Sequence, residues 1–220
     1  MLNRIEVTGM CCRYWMEESP ELKPFVDAAN HSPLRDRMVD KLAKPMKTSG
    51  EIRPTDICVA VAPDKNGKRA AFPMVWGYTG QQSSLFNTRV ESADQKPMWK
   101  ESLERRRCII PASWYYEWQH LKSTDGKTKA GGKYMIQPKG ATTTLMAGIY
   151  RMEPFQDTGM MFPHFAILTR EPGEDIQFIH DRMPVILDAQ DAAEWIRPET
   201  TDIKPIIARS LTGMMFERVE

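Results

Sequence analysis

A chain of 220 residues is long enough to form one domain with its own hydrophobic core. Its composition, 41% hydrophobic and 27% charged, is that of a globular protein, and no apolar run is long enough to span a bilayer. The formal net charge of +1 excludes a domain that binds nucleic acid through strong overall basicity, so any DNA contact must come from a local patch.

The first part of the chain is predicted to be helical. Residues Glu17–Lys44 are polar with scattered apolar positions, and Pro33 is expected to interrupt the helix because proline lacks an amide donor. Residues Lys44–Arg53 are rich in Pro, Ser and Gly and are predicted to be a loop. Two further short helices are predicted at Pro97–Arg106, with proline in the first turn, and at Asp188–Ile196, with Asp188 as N-cap.

Short apolar or alternating runs, separated by turn residues, predict β-strands in the rest of the chain. The stretch Lys122–Gly132 is predicted to be a mobile hairpin tip or loop. The fold class is therefore α+β, a single β-rich domain whose mostly antiparallel strands form a barrel or a sandwich with peripheral helices. The predicted strands are Ile57–Ala62, Ala71–Trp76, Cys108–Ile110, Tyr134–Gln137, Thr144–Tyr150 and Phe165–Leu168.

The cysteines and the amino terminus indicate the compartment. An adjacent pair, Cys11 and Cys12, with two distant single cysteines is not a zinc-binding spacing, and no metal site is predicted. Cys58 and Cys108 lie in apolar runs and are expected to be small buried hydrophobes. Residues 1–9 contain Glu6 and lack the apolar stretch of a signal peptide, so we expect a cytoplasmic, nucleoid-associated protein with free thiols.

Four segments place reactive or polar residues among apolar or aromatic neighbours. They supply a thiol, an amide, two candidate acids and a histidine, which together could provide a nucleophile with a base and orienting groups. The segments are Met10-Cys11-Cys12-Arg13-Tyr14, residues 86–92 (FNTRVES), residues 107–118 (RCIIPASWYYEW) and Ile179-His180-Asp181-Arg182-Met183-Pro184.

In this order and spacing, the four segments resemble the SRAP (SOS-response-associated peptidase) family of abasic-site processing proteins. The resemblance runs from Met10 to about Trp195 and implies an SRAP-like fold. It also implies roles for individual residues. The family's catalytic cysteine falls on Cys11, the asparagine that orients it on Asn87, its acid on Glu117 and its histidine on His180.

The resemblance also indicates candidate DNA contacts. The family's phosphate-binding arginine falls on Arg89, and the family's Trp-Gly segment resembles Trp76-Gly77-Tyr78. We therefore take Arg89, Trp76 and Arg13 as candidate DNA-binding residues. No cofactor is implied.

The chemistry implied by the family is consistent with general reactivity. An abasic site is an aldehyde in equilibrium with a closed sugar, and an α-amine, with a pKa of about 8, is a better nucleophile at neutral pH than lysine. If that amine belongs to a cysteine, its thiol can add to the resulting imine and close a thiazolidine ring. Glu117 would act as general acid and His180 would assist proton transfer, with a raised pKa expected for Glu117.

The sequence departs from the family pattern at its start, because nine residues precede Met10. We expect residues 1–9 to be an N-terminal extension, from either a misassigned start or a removed propeptide, and residues 10–220 to be the SRAP-like domain. Cys12 stands where the family usually has glycine, and it is expected to be structural. Glu51 stands near a position where relatives carry asparagine.

Simpler interpretations remain open for several residues. Glu117 could face solvent on a strand, His180 could be a buried structural histidine, and Arg89 could form a cross-strand ion pair with Glu91. Residues 105–107, three consecutive arginines, are expected to lie on a solvated face. The other three histidines match no motif and are expected to be ordinary surface or core residues: His31, His120 and His164.

These observations predict a monomeric protein that recognises abasic sites in single-stranded DNA, crosslinks to them through Cys11 and does not bind membranes. Peptidase and abasic-site lyase activities are further expectations from the resemblance. Two alternatives stay open: a cysteine-dependent peptidase that processes itself, and a non-catalytic single-stranded DNA-binding module.

Overall fold

The computed structural model describes residues 12–80, 84–122, 128–155 and 158–220. These residues form five helices and two β-sheets in one β-rich domain. The helices are α1 (Lys23–Asn30), α2 (Pro33–Leu42), α3 (Pro97–Arg105), α4 (Ala189–Trp195) and α5 (Lys204–Arg209). The strands are β1 (Arg13–Met16), β2 (Gly50–Ile52), β3 (Ile57–Pro63), β4 (Arg69–Trp76), β5 (Asn87–Arg89), β6 (Arg107–Ala112), β7 (Trp114–Lys122), β8 (Thr128–Pro138), β9 (Thr144–Pro154), β10 (Met161–Arg170), β11 (Met183–Pro184), β12 (Ile186–Leu187) and β13 (Met214–Arg218).

The first sheet has five strands in the order β13-β8-β7-β1-β2, and all of its pairs are antiparallel. The short strand β1 lies between β7 and β2, with Arg13 opposite Tyr116 and Trp15 opposite both Trp114 and Glu51. Backbone ladders on both edges therefore hold the start of the described chain in place.

The second sheet has eight strands, in the order β11-β10-β4-β3-β6-β9-β12, with β5 paired to β10 and a further pairing between β9 and β10. Most pairs are antiparallel, whereas β10 runs parallel to both β4 and β5. The pairing of β5 with β10 matters for the site, because it places Asn87 opposite Ile167 and Arg89 opposite Thr169.

The core lies between the two sheets. Tyr14, Met16 and Tyr115 of the five-stranded sheet belong to the same buried cluster as Val59 and Met74 of the eight-stranded sheet. Because side chains alternate along a strand, the neighbours of Tyr14 and Tyr115 project from the opposite, outward face of the first sheet. This architecture confirms the predicted α+β domain with mostly antiparallel strands.

Local sequence signals explain the helix boundaries. The predicted break near Pro33 is confirmed, since α1 ends at Asn30 and the Ser32 hydroxyl accepts a hydrogen bond of 3.2 Å from the Leu34 amide at the start of α2. The predicted N-cap of α4 is also confirmed, because the Asp188 carboxylate accepts a 2.7 Å hydrogen bond from the Asp191 amide. Both caps satisfy amides that have no partner inside their helix.

Two predicted loops contain strands. The predicted loop at residues 44–53 ends in β2, which pairs with β1. The predicted loop at residues 122–132 is strand from Thr128 onward, because Thr128 and Lys129 pair with residues of β7, while its residues 123–127 lie outside the described part of the chain. In both segments, pairing with a neighbouring strand outweighed the local abundance of polar residues and glycine.

Two further expectations concern burial and length. Cys58 and Cys108 are fully buried free thiols, as predicted, and burial raises the pKa of Cys58 to about 12. The longest described helix, α2, has 10 residues, and no helix within the described residues is long and apolar enough to cross a membrane.

Candidate functional site

The first described residue, Cys12, leads directly into β1, whereas the predicted nucleophile Cys11 lies outside the described residues. Cys12 is half-buried and its thiol is free. Burial raises the pKa of the Cys12 thiol, the charge of Glu117 raises it further, and Arg13 acts in the opposite direction. The charges of Glu117, the predicted acid on β7, and of Arg13, the next residue in the chain, therefore both act on the Cys12 thiol.

Glu117 lies within β7 and is only 2% exposed. The interpretation that this residue faces solvent is wrong, because Glu117 projects from the same face as the core residue Tyr115. Its Oε1 accepts a hydrogen bond of 3.1 Å from the Trp118 amide. A carboxyl group in such a place is shielded from bulk water and can exchange protons with a reactant held against it.

His180 is 6% exposed, and its Nδ1 has two polar neighbours. The Arg182 amide donates to Nδ1 at 3.0 Å, and Asp181 Oδ1 lies 2.9 Å from the same atom. A neutral ring nitrogen that accepts from an amide cannot also donate to a carboxylate. The Asp181 side chain is 73% exposed and can turn into water, whereas the amide is fixed, so we assign the proton of neutral His180 to Nε2.

The pKa of His180 is lowered to about 4. Burial is the largest cause, the charges of His120 and Arg182 act in the same direction, and Asp181 opposes them. His180 is therefore neutral at physiological pH, with a proton available on Nε2.

His120 is a site residue that the sequence did not indicate. It lies on β7, and its ring centroid is 3.8 Å from that of His180, with the planes tilted by 48°. The His120 amide also donates to the Ile179 carbonyl oxygen at 2.8 Å. His120 was expected to be an ordinary surface or core residue; it is half-buried, and its packing against His180 makes it a candidate site residue.

The side chains of His120, His180 and Asp181 place three possible ligand atoms within 4.8 Å of one another. Two imidazoles and a carboxylate are suitable ligands for a divalent transition metal. Two features of the site oppose this use: the rings of the two histidines pack against each other, and His180 Nδ1 already accepts from the Arg182 amide. The absence of a metal site stays a prediction from the sequence.

The predicted strand residues Asn87 and Arg89 lie on β5. Asn87 is half-buried and Arg89 is exposed. Both line a groove of about 300 Å³ together with Lys96 from the start of α3. Two cations beside an amide make this groove a suitable place for a phosphate group.

The predicted alternative of an Arg89–Glu91 ion pair is wrong, because Glu91 binds Arg182 instead. Arg182 Nη1 and Nη2 donate to the two carboxylate oxygens of Glu91 at 2.8 and 2.7 Å. Burial alone would raise the pKa of Glu91, but the hydrogen bonds and charge of Arg182 outweigh it and lower the pKa. Arg182 Nη2 also donates to the Thr169 carbonyl oxygen at 2.7 Å, which ties the His180 turn to β10.

These contacts connect all the sequence motifs in one chain of neighbours. The charge of Glu117 acts on the Cys12 thiol. His120 of β7 packs against His180. Arg182, in the same turn as His180, binds Glu91, which lies just after β5. The motifs lie in separate parts of the sequence and are brought together by the two sheets.

Trp76 does not have the place that the sequence indicated. The residue is fully buried, its ring stacks on Phe165 with centroids 6.1 Å apart, and its Nε1 donates to the Phe86 carbonyl oxygen at 3.0 Å. With no exposed surface, the ring cannot stack on a base. Trp76 is a core residue that anchors the backbone just before Asn87, and we remove it from the candidate DNA contacts.

Arg13 is half-buried on the outward face of the first sheet. Its guanidinium donates to Glu51 Oε1 at 2.8 Å and lies over the Trp118 ring, 5.2 Å from the centroid. Glu51 also bonds Arg53 at 2.6 Å. Glu51, which stands near a position where relatives carry asparagine, is therefore an ion-pair partner of two arginines on this face.

Comparison with known families agrees with this arrangement. The model of the SOS response associated peptidase (SRAP) family matches residues 10–219. The chain belongs to the SRAP family. The match begins at Met10 and covers nearly all of the residues described here.

Several curated relatives of this SRAP chain carry related names. It is 36% identical over 118 residues to the abasic site processing protein YoqW of Bacillus subtilis, covering 54% of this chain and 50% of that protein. It is 32% identical over 130 residues to the abasic site processing protein YedK of Escherichia coli, covering 58% of this chain and 55% of that protein. These alignments span about half the length of the curated relatives.

The fold is shared with solved structures. A crystal structure of a protein from Bacteroides thetaiotaomicron superposes with a TM-score of 0.69 at 19% identity, covering 96% of this chain and 92% of that one. A phage-related protein from Bordetella bronchiseptica gives a TM-score of 0.64 at 23% identity, with coverage of 96% and 94%. At these identities the likeness concerns the fold alone.

Proposed function

We propose that this SRAP protein captures abasic sites in single-stranded DNA by a covalent bond to Cys11. The observation that carries the proposal is that the charge of the buried Glu117 acts on the thiol of Cys12, since the residue before Cys12 is the predicted nucleophile. The names of relatives such as YoqW and YedK, both abasic site processing proteins, support the substrate class.

The proposed reaction has two steps. The α-amine of Cys11 attacks the aldehyde carbon of the opened sugar, and loss of one water gives an imine. The Cys11 thiol then adds across the carbon–nitrogen double bond: sulfur bonds to carbon, the thiol proton goes to nitrogen, and a thiazolidine ring closes. The first step requires an unblocked amine on Cys11, so residues 1–10 must be absent from the active form, through a start at Met10 followed by methionine removal or through removal of the whole extension.

The neighbouring side chains suit the proton transfers that these steps need. Glu117 can protonate the sugar oxygen as the ring opens and the hydroxyl group that leaves as water. Neutral His180, with its proton assigned to Nε2, can donate a hydrogen bond or pass on a proton. Asn87 is proposed to orient the terminal residue through its side-chain amide.

The proposed path of the DNA passes two basic places. The groove that contains Arg89 and Lys96 would hold a phosphate beside Asn87, and Arg13 would contact the strand from the outward face of the first sheet. A protein with a net charge of only +1 must concentrate its phosphate contacts in this way. We propose that it acts on DNA as a monomer.

Intact mass followed by incubation with uracil-excised single-stranded DNA tests the proposal. Protein that begins at Cys11 should form an adduct that survives denaturation, and Cys11→Ala should lose it. Cys12→Ala is the matched control and should keep the adduct. An adduct that persists in Cys11→Ala would eliminate Cys11 as the nucleophile.

Cys11→Ser separates the two chemical steps. This variant keeps the amine but lacks the thiol, so borohydride should trap an imine while the stable adduct is lost. Strand cleavage by the same variant would reveal lyase activity through the imine. Failure of Cys11→Ser to be trapped, with the wild type still forming an adduct, would contradict the amine-first order.

Self-processing is a second candidate activity, which the nine residues before Met10 favour. A precursor expressed from Met1, with Met10→Leu to block internal initiation, should lose residues 1–10 over time. Glu117→Gln and His180→Gln should slow this loss if the same site performs the cleavage. Unchanged precursor in the wild type would exclude self-processing.

A further inference from the structure

The outward face of the first sheet carries an aromatic stripe that the proposed chemistry does not use. Trp114, Tyr116 and Trp118 occupy alternate positions on β7, on the face opposite the core residue Tyr115. Trp15 of β1 lies opposite Trp114 in the ladder. Trp15, Trp114 and Trp118 are half-buried, so part of each ring is exposed at the sheet surface.

The two tryptophans at one end of this stripe are aligned with each other. The rings of Trp15 and Trp114 are parallel to within 2°, with centroids 6.0 Å apart. Trp114 also contacts Tyr116 edge-on, at a centroid distance of 6.5 Å. Two parallel indoles on neighbouring strands form a rigid apolar platform, because both backbones are held in a ladder.

Cations lie at the other end of the stripe. Lys133 Nζ is 4.4 Å from the centroid of the Tyr116 ring and 5.4 Å from that of Trp118, and Arg13 lies over Trp118 at 5.2 Å. Glu51 and Glu220 partly balance these charges, through contacts of 2.8 Å with Arg13 and 3.3 Å with Lys133 respectively. Arg53 is a third cation on this face and also contacts Glu51, and Glu217 is a third carboxylate, placed on the same face by its pairing with Met135.

We propose that Trp15 and Trp114 form a stacking platform for bases of the single strand that flanks the abasic nucleotide. Exposed aromatic rings beside cations on an antiparallel sheet are how many single-strand binders hold bases and backbone without sequence preference. The distance from Trp118 to Trp114, four residues along one strand, is about 14 Å, enough for about four stacked bases.

The platform rests on the proposed function for its occupant: Arg13, the residue after Cys12, lies on the same outward face, whereas Glu117 projects from the opposite face of the sheet. It adds a role for Trp114, to which its motif assigned none, and for Trp15, which directly follows the first motif. A strand of undamaged DNA should bind the platform without any covalent step, and this separates the two proposals experimentally.

Fluorescence anisotropy with undamaged single-stranded DNA of about fifteen nucleotides tests the platform directly. The double variant Trp15→Ala/Trp114→Ala should bind this strand more weakly, by about 5-fold to 150-fold for each stacked base that is lost. The slope of affinity against salt should stay unchanged, because no cation is removed, whereas Lys133→Ala should reduce that slope. Trp15→Phe/Trp114→Phe, which keeps aromatic rings, should recover most of the affinity.

The covalent assay supplies the second arm. The alanine pair should form the adduct with an abasic trinucleotide as the wild type does, and should lose the wild-type preference for a longer abasic strand. A wild type that binds undamaged DNA through the platform but forms no adduct would contradict the proposed function and leave the platform intact.

Three results would overturn the platform. The first is unchanged affinity of the alanine pair for the longer strand. The second is a loss of affinity that phenylalanine does not restore or that comes with a lower thermal midpoint, since either would indicate a structural role. The third is a change of oligomeric state in sedimentation without a change in DNA affinity, which would make this face a contact between copies of the chain.

Discussion

The ring of His120 packs against the ring of His180, with centroids 3.8 Å apart, and its backbone amide binds the carbonyl oxygen of the residue before His180 at 2.8 Å. β7 therefore supplies Glu117 and also the residue that covers the histidine. Through this contact the acid and the histidine belong to one rigid unit rather than to a strand and a separate loop.

Replacing His120 should change the titration of His180. In His120→Gln, the electrostatic effect by which His120 lowers the pKa of His180 is lost and water gains access to the ring, so the pKa of His180 should rise from about 4 toward its ordinary value of 6.5. The histidine proton resonances in NMR spectra recorded against pH measure this directly. His31→Gln, at an exposed histidine, is the control and should leave the pKa of His180 unchanged. A His180 resonance that titrates near pH 6.5 in the wild type would show that the pKa of His180 is not lowered.

The depressed pKa of His180 also predicts a pH dependence of stability. The unfolded state binds a proton to this residue below about pH 6.5, whereas the folded state does so only near pH 4, so folding is opposed as the pH falls through this window. The stability that depends on neutral His180 is fully present above pH 6.5, and about 3 kcal/mol of it is lost by pH 4. Urea unfolding at several pH values should show this slope in the wild type and a weaker one in His180→Gln. Parallel curves for the two proteins would contradict the prediction.

Arg107 should be essential for stability. Its guanidinium donates to the carbonyl oxygens of Leu103 and Glu104 at the end of α3 and of three residues in and after α4: Trp195, Arg197 and Thr200. Lysine has three donors and a different shape, so Arg107→Lys leaves buried acceptors without partners and should cost about 3 kcal/mol in unfolding free energy. Chemical denaturation measures the change.

Arg106→Lys provides the matched control for that experiment. Arg106 is the preceding residue, and its side chain is 37% exposed and pairs with Glu101 at 3.3 Å. A conservative change at an exposed ion pair should alter stability by less than about 0.5 kcal/mol. Equal effects at the two positions would show that the buried carbonyl contacts of Arg107 contribute little.

Gly148 should not tolerate a side chain. It lies within β9, and a Cβ atom there would overlap Ile110 Cδ1 and press on the Ala166 carbonyl oxygen and the Cys108 sulfur. Gly148→Ala should therefore destabilise the fold by about 1–3 kcal/mol, as overpacking of a core usually does. Gly213→Ala, whose Cβ would meet only Lys139 at 3.8 Å, is the control for thermal unfolding. A neutral Gly148→Ala would mean that Ile110 repacks freely.

Local signals allowed parts of the molecule to be predicted from sequence. Pro33 marks a helix boundary because proline lacks an amide donor, and Asp188 does so because its carboxylate caps the helix. The apolar run around Val59 predicts a strand whatever its partners in the fold. The strand that carries Glu117 was not among the predicted strands, of which the nearest was Cys108–Ile110. What the pattern could not determine was that both faces of β7 are partly covered, which buries Glu117.

The errors concern residues whose roles depend on partners far along the chain. Arg107 was expected on a solvated face with its two neighbouring arginines, but it is 5% exposed because α4 and the residues after it pack over it. Trp76 was expected to contact DNA, and its burial follows from its packing on Phe165. His120 gave no signal because its partner is sixty residues away. No periodicity within a strand encodes such contacts.

The central position of β1 limits how this family member could diverge. Because Arg13 is paired with Tyr116 and Tyr14 is buried, inserting or deleting a single residue within β1 would exchange the two faces of the sheet and expose the tyrosine. Under the proposed function the same constraint extends to the segment before β1, because a change in the number of residues between Cys11 and Arg13 would displace the nucleophile relative to Glu117.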